Sequence, residues 1–95
     1  MVRVKICGIT NLEDALASFF YGADAIGFVF YKKSPRYISP EKAGNISRIL
    51  PKGISRVGVF VNEKEGVAKK IAKLCNLDML QFHGEESCEY CRKFK

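Results

Sequence analysis

Four short β-type runs, each followed by a helical pattern, recur at roughly 25-residue spacing, the rhythm of stacked βα units. Val2–Cys7 alternates and is rich in Val and Ile, which predicts a first strand. Leu12–Tyr21 predicts a helix, with Asn11 at its cap, Asp14 three residues on and Gly22 closing it. Ala25–Phe30 predicts a second strand, and a longer loop covers Tyr31–Ser39. Ser39 is the expected cap of the second helix, with Pro40 at its first position and Ala43, Ile46, Ile49 and Leu50 on one face. Pro51-Lys52-Gly53 stops that helix, and Arg56–Val61 predicts a third strand. Asn62 is the expected cap of a third helix, whose stripe is Val67, Ile71, Leu74 and Cys75. Met79–His83 predicts a fourth strand, and Glu85–Phe94 begins a fourth helix.

Helices between successive strands dictate parallel pairing with right-handed crossovers. An open doubly wound sheet and a segment of a βα barrel both satisfy that rule. The strand faces separate them. An apolar face is expected from Val2/Val4/Ile6, Ile26/Phe28/Phe30, Val57/Val59/Val61 and Leu80/Phe82. The opposite face is mixed: Arg3/Lys5/Cys7, Ala25/Gly27/Val29, Arg56/Gly58/Phe60 and Met79/Gln81/His83. One side against helices and one small or polar side is the pattern of a barrel wall. Eight strands close such a barrel at about 250 residues. The chain has 95 residues and four strands. The expected fold is therefore α/β: a single (βα)4 unit over 1–95, the N-terminal half of a TIM (β/α)8 barrel, with the C-terminal half absent.

Composition narrows the class. Apolar residues at 47% and charged residues at 27% exclude a disordered tail. The apolar runs are too short for a membrane span, and Arg3 and Lys5 break any signal-peptide core. The four cysteines lack the other marks of a secreted scaffold, so a reduced, cytoplasmic setting is expected. A net charge of +6 would suit nucleic acid, but no run reaches five like charges, and no nucleic-acid partner is expected.

In a barrel the chemistry lies at the C-terminal ends of the strands. The side chains expected to point inward there are Cys7, Phe60 and His83, with Lys5 and Gln81 one layer down and Arg36 in the loop after the second strand. Such a set suits a small anionic substrate. Cys7 reads as a nucleophile or general base, either of which needs the thiolate, or else as an inert core cysteine. Lys5 on the same face supplies positive charge towards it. His83 reads as an acid, a base, an orienting group or a plain wall residue. Arg36 offers a planar fork for a carboxylate or phosphate, or is an ordinary loop cation. Cys88 and Cys91 form one C-x-x-C pair with no second pair, which leaves a zinc site short of ligands.

Five segments in order resemble phosphoribosylanthranilate isomerases of tryptophan biosynthesis: Lys5-Ile6-Cys7-Gly8-Ile9-Thr10, Gly22–Phe30, Ser34-Pro35-Arg36-Tyr37-Ile38, Val57–Asn62 and Leu80–Gly84. The resemblance implies an Amadori rearrangement of N-(5-phosphoribosyl)anthranilate to the aminoketose, with no metal or organic cofactor. It implies Cys7 as the general base, Arg36 on the anthranilate carboxylate, and His83 among the lining residues. The family's general acid and phosphate loops fall in the barrel's second half, outside residues 1–95. The resemblance therefore points to an enzyme that is inactive as this piece alone. A non-catalytic half-barrel assembly module is the competing expectation. Both edge strands are open, and the inner face is expected to carry Arg3, Lys5 and Arg56 and to expose Val29, Phe60 and Met79. Association with a C-terminal half, or with a second copy, follows.

Overall fold

The computed structural model describes residues 4–82. The elements are β1 (Lys5–Cys7), α1 (Leu12–Phe20), β2 (Ala25–Val29), α2 (Pro40–Ile49), β3 (Ser55–Phe60), α3 (Glu65–Leu74) and β4 (Met79–Phe82). The strands pair in parallel in the order β1-β2-β3-β4, so β1 and β4 are the edges of the four-stranded sheet. Val2, Arg3, His83, Cys88, Cys91 and the helix expected over Glu85–Phe94 lie outside the described residues.

Local chemistry sets the helix ends. The Asn11 side chain accepts from the Asp14 N–H at 2.8 Å and starts α1. Ser39 accepts from the Lys42 N–H at 3.3 Å and starts α2, with Pro40 in its first turn. The end of α1 matches that of α3. Gly22 (φ 86°) and Asn76 (φ 51°) turn left-handed, and the next N–H in each case reaches back into its helix, Ala23 to the Ser18 carbonyl and Leu77 to the Ala72 carbonyl, both at 2.9 Å. An aspartate follows each turn and clasps the neighbouring strand. Asp24 Oδ2 accepts the Val4 N–H at 2.8 Å, and Asp78 Oδ2 accepts the Arg56 N–H at 2.8 Å. The two aspartate N–H groups donate back to the Val4 and Arg56 carbonyls at 2.8 Å. The starts of β2 and β4 are thus tied to β1 and β3 by the same device.

The third helix departs from expectation. Asn62 does not cap it. Asn62 sits at φ 51°, and α3 begins after Lys64, which makes no side-chain cap bond. Asparagine serves left-handed turns as well as caps, and here the exit from β3 takes it.

The faces of β3 are also the reverse of expectation. Cys7 registers with Gly27, Gly27 with Val57 and Val57 with Met79, so Val57 and Val59 share the concave face with Cys7. Arg56, Gly58 and Phe60 face the helix layer instead, in register with Ile26, Phe28 and Phe82. Phe60 is fully buried, its ring 5.4 Å from Phe30 and 6.0 Å from Phe82. Arg56 is buried and donates five bonds to the end of α2 and the loop beyond. These run to Ser47 Oγ (3.0 Å) and to the carbonyls of Ser47 (2.8 Å), Leu50 (2.8 Å), Pro51 (3.2 Å) and Ile54 (2.7 Å). All five guanidinium donors are used, and the charge sits at a helix C-terminus, where the dipole favours a cation. Val29, expected to be exposed, is buried where the loop pairs back on it through Tyr37. Met79 is exposed as expected.

A single contact shows that the sheet is curved and tilted. Lys5 Nζ on β1 donates to Gln81 Oε1 on β4 at 2.5 Å. Three interstrand steps of about 4.8 Å separate those strands in a flat sheet. Lys5 registers with Ala25 and Ala25 with Ser55, two residues short of the Val57–Met79 pair, so Gln81 lies four residues further along than the flat-sheet partner of Lys5. An eight-stranded barrel of shear 8 advances about one residue per strand, which accounts for most of that offset. Four parallel strands, alternating helices and this tilt make the chain a half of a (β/α)8 barrel.

The helix layer closes on the convex face. Ser47 Oγ donates to the Cys75 carbonyl at 2.6 Å, and the Cys75 thiol donates to the Pro40 carbonyl at 3.3 Å. Burial pushes the Cys75 thiol up to about 11, an effect partly opposed by Arg48, so this cysteine is held as an inert thiol. No described helix is long and apolar enough to cross a membrane.

Candidate active site at the strand ends

Cys7 is the last residue of β1, and it is half-buried on the concave face. The chain then turns at once. Gly8 sits at φ 87°, a region that an L side chain rarely adopts. The Gly8 and Ile9 N–H groups both donate to the Gly27 carbonyl at 3.0 Å. That pair of bonds fixes the exit of β1 against β2 and holds Cys7 at the strand end, where barrel enzymes place their chemistry.

Arg36 reaches the same place from the next loop. The Ser34 N–H donates to the Tyr31 carbonyl (3.0 Å) and the Tyr37 N–H to the Ser34 carbonyl (3.1 Å), which gives two successive turns. Ser34 Oγ accepts the Arg36 N–H at 3.1 Å. Ile38, buried, donates its N–H to the Val29 carbonyl at 3.0 Å and anchors the loop on β2. Arg36 then lays its stem over Gly8. A Cβ at Gly8 would stand 2.5 Å from Arg36 Cδ and 3.3 Å from Nε. The guanidinium is exposed, so its fork is open to a ligand at the strand ends.

Lys5 and Gln81 form the layer beneath, on the concave face. The ammonium expected to assist Cys7 is committed to Gln81 on the opposite edge. Cys7, Lys5 and Gln81 therefore share the concave face, and the Arg36 stem packs over Gly8 beside the end of β1. Phe60, expected inward with them, belongs to the other face. Among the described residues, no three His, Cys, Asp or Glu side chains gather as a metal site would require. Sequence reasoning passed over Gly8 and Gly27 as site residues. An isolated glycine within a strand pattern, such as Gly27, is the available signal of a close approach.

Comparison with known proteins agrees with this fold. The family model described as N-(5'phosphoribosyl)anthranilate (PRA) isomerase matches residues 4–95. A curated N-(5'-phosphoribosyl)anthranilate isomerase from Thermotoga maritima is 62% identical over 93 residues, which is 98% of this chain and 45% of the relative. One from Trichlorobacter lovleyi is 50% identical over 95 residues, 100% of this chain and 46% of the relative. The chain thus spans about half the length of the curated relatives it matches. A crystal structure of a phosphoribosyl anthranilate isomerase in complex with reduced 1-(o-carboxyphenylamino)-1-deoxyribulose 5-phosphate superposes with a TM-score of 0.96 at 62% identity, over 98% of this chain and 48% of that one. A half-barrel of four parallel βα units, matched along nearly all its length by these relatives, belongs to the N-(5'-phosphoribosyl)anthranilate isomerase family.

Proposed function

We propose that this chain is the N-terminal half of an isomerase that converts N-(5-phosphoribosyl)anthranilate to its aminoketose, and that it turns over only when a C-terminal half closes the barrel. The observation that carries the reading is that Cys7 ends β1 while the Arg36 stem packs over Gly8, the next residue. The substrate is an aminoaldose. A general acid from the second half assists opening of the furanose ring and leaves a Schiff base. The iminium nitrogen acidifies the C2 proton, and the Cys7 thiolate removes it to give an enolamine that tautomerises to the ketose. Arg36 holds the anthranilate carboxylate by a bidentate contact. Lys5 and Gln81 floor the cavity below the sugar, and the family resemblance assigns His83, outside the described residues, to the lining. The reaction moves protons within one molecule and needs no redox partner. Free thiols at Cys7 and Cys75 suit a reduced, cytoplasmic setting.

Assembly follows from the exposed edges. Val4 just before β1 and Ile6 on it are 45% and 41% exposed, and Met79 on β4 is 60% exposed. Unpaired edge strands with apolar side chains offer a template for pairing with another chain. The 95-residue chain alone is expected to show no isomerase turnover and to sediment as an associated species. Addition of the C-terminal half of a family member is expected to restore substrate loss, followed by anthranilate fluorescence. A stable monomer with substantial turnover would sink this reading. Association without recovered turnover would favour a non-catalytic assembly module.

Arg36 gives a second check in the assembled enzyme. Arg36→Met removes a charge-assisted fork and is expected to cost about 2–3 kcal/mol of substrate binding. KM should rise far more than kcat falls. An unchanged KM would reduce Arg36 to a loop cation.

A further inference from the structure

We infer that Gly27 is a positioning residue: its missing side chain is the seat that holds the Cys7 thiol at the end of β1. The inference rests on Cys7 being the base, and it adds what aims that base. Cys7 and Gly27 are register partners in adjacent strands, so their side-chain positions lie on the same face. A Cβ at Gly27 would meet Cys7 Sγ at 3.1 Å, Cys7 Cα at 3.4 Å and Cys7 Cβ at 3.5 Å. The two carbon distances are ordinary contacts or close to them. The sulfur distance is not, so the sulfur occupies the space that any side chain at position 27 would need.

The same residue fixes the backbone beneath the thiol, since the Gly27 carbonyl accepts both N–H groups that follow Cys7. Gly27 lies in the middle of β2, where glycine is otherwise unfavourable, and its φ falls outside the left-handed region. Backbone conformation therefore does not require glycine at this position. The close approach of sulfur does. A methyl group there would press the sulfur a few tenths of an ångström away from β2, towards the open edge of β1.

Three measurements on Gly27→Ala test this. The first is site-resolved alkylation of the 95-residue chain by iodoacetamide, read by peptide mass spectrometry. Cys7 should react several-fold faster in the variant, because its thiol is displaced towards solvent. Cys75, 1% exposed and held as a thiol, should stay as slow as in the parent and so certify that the helix layer is closed. Gly66→Ala is the control, since a Cβ there has nothing within 4 Å, and it should leave both rates unchanged. The second is turnover in the barrel completed by a C-terminal half. There kcat should fall several-fold to about tenfold, part of the roughly hundredfold that a misplacement of about 1 Å costs, with KM little changed. The third is a thermal double-mutant cycle, which works even if Gly27→Ala folds poorly. Most of the midpoint lost to Gly27→Ala should return in the Cys7→Ala background, where the sulfur is gone. An equal loss in both backgrounds, or an unchanged Cys7 alkylation rate, would overturn the seating. Altered alkylation with full coupling but unchanged kcat would leave the seat standing and overturn its part in catalysis, placing the failure with Cys7 as base.

Discussion

Replacing Cys7 with alanine in the assembled barrel is expected to lower kcat by roughly 10²–10⁴-fold, the span of a general-base contribution. KM should stay within a few-fold of the parent. The reason is geometric. Cys7 ends β1 half-buried on the concave face, and the Arg36 stem, the proposed carboxylate holder, packs over Gly8, the next residue. Removal of the thiol takes away the proton acceptor and leaves the fork and the floor in place. Single-turnover fluorescence with the variant separates the step lost from the binding kept. A Cys7→Ala enzyme with near-parental kcat would show that the base lies elsewhere and that Cys7 is a small wall residue.

The second large effect is on stability. Arg56→Met is expected to destabilise the chain by about 3–5 kcal/mol, because it strands several buried carbonyls of the α2 terminus at once. A domain of this size has on the order of 5–15 kcal/mol in total, so the variant should lie close to unfolding under ordinary conditions. Arg56→Lys keeps the charge at the helix end but loses the fork, and it should fall between the two. Urea denaturation followed by circular dichroism measures all three. A loss below about 1 kcal/mol for Arg56→Met would mean that water replaces the guanidinium at those carbonyls.

Arg56 also shows where the sequence could and could not be read. Alternation of strands and helices, the caps at Asn11 and Ser39, and the placing of Cys7 and Arg36 at one end of the sheet were all legible. Each depends on a local pattern. The faces of β3 were not legible. That strand carries bulky apolar residues on both sides, Val57 and Val59 on one and Phe60 on the other, so alternation alone is ambiguous. The arginine then reads as polar and therefore inward. What holds it outward is a set of main-chain carbonyls at the end of α2, and no side-chain pattern records those. Asn62 failed for a related reason, since the residue that caps a helix also turns a chain left-handed. The seat at Gly27 is a contact between two strands that lie 20 residues apart in Cα register, Cys7 and Gly27, and only the pairing shows it.

The Lys5–Gln81 bond has a consequence for the order of events during synthesis. It joins residues 76 apart and needs all four strands in place, yet it uses nothing from beyond β4. Ribosomes add roughly 5–20 residues per second. In a relative of twice this length, the remaining half takes several seconds or more to appear. Small α/β units with neighbouring-strand contacts fold in about milliseconds. The arc can therefore be drawn to its final radius while the rest of the polypeptide is still being made. Later strands then dock on a rim whose curvature and stagger are already set, and the lysine that spans the floor acts as the gauge.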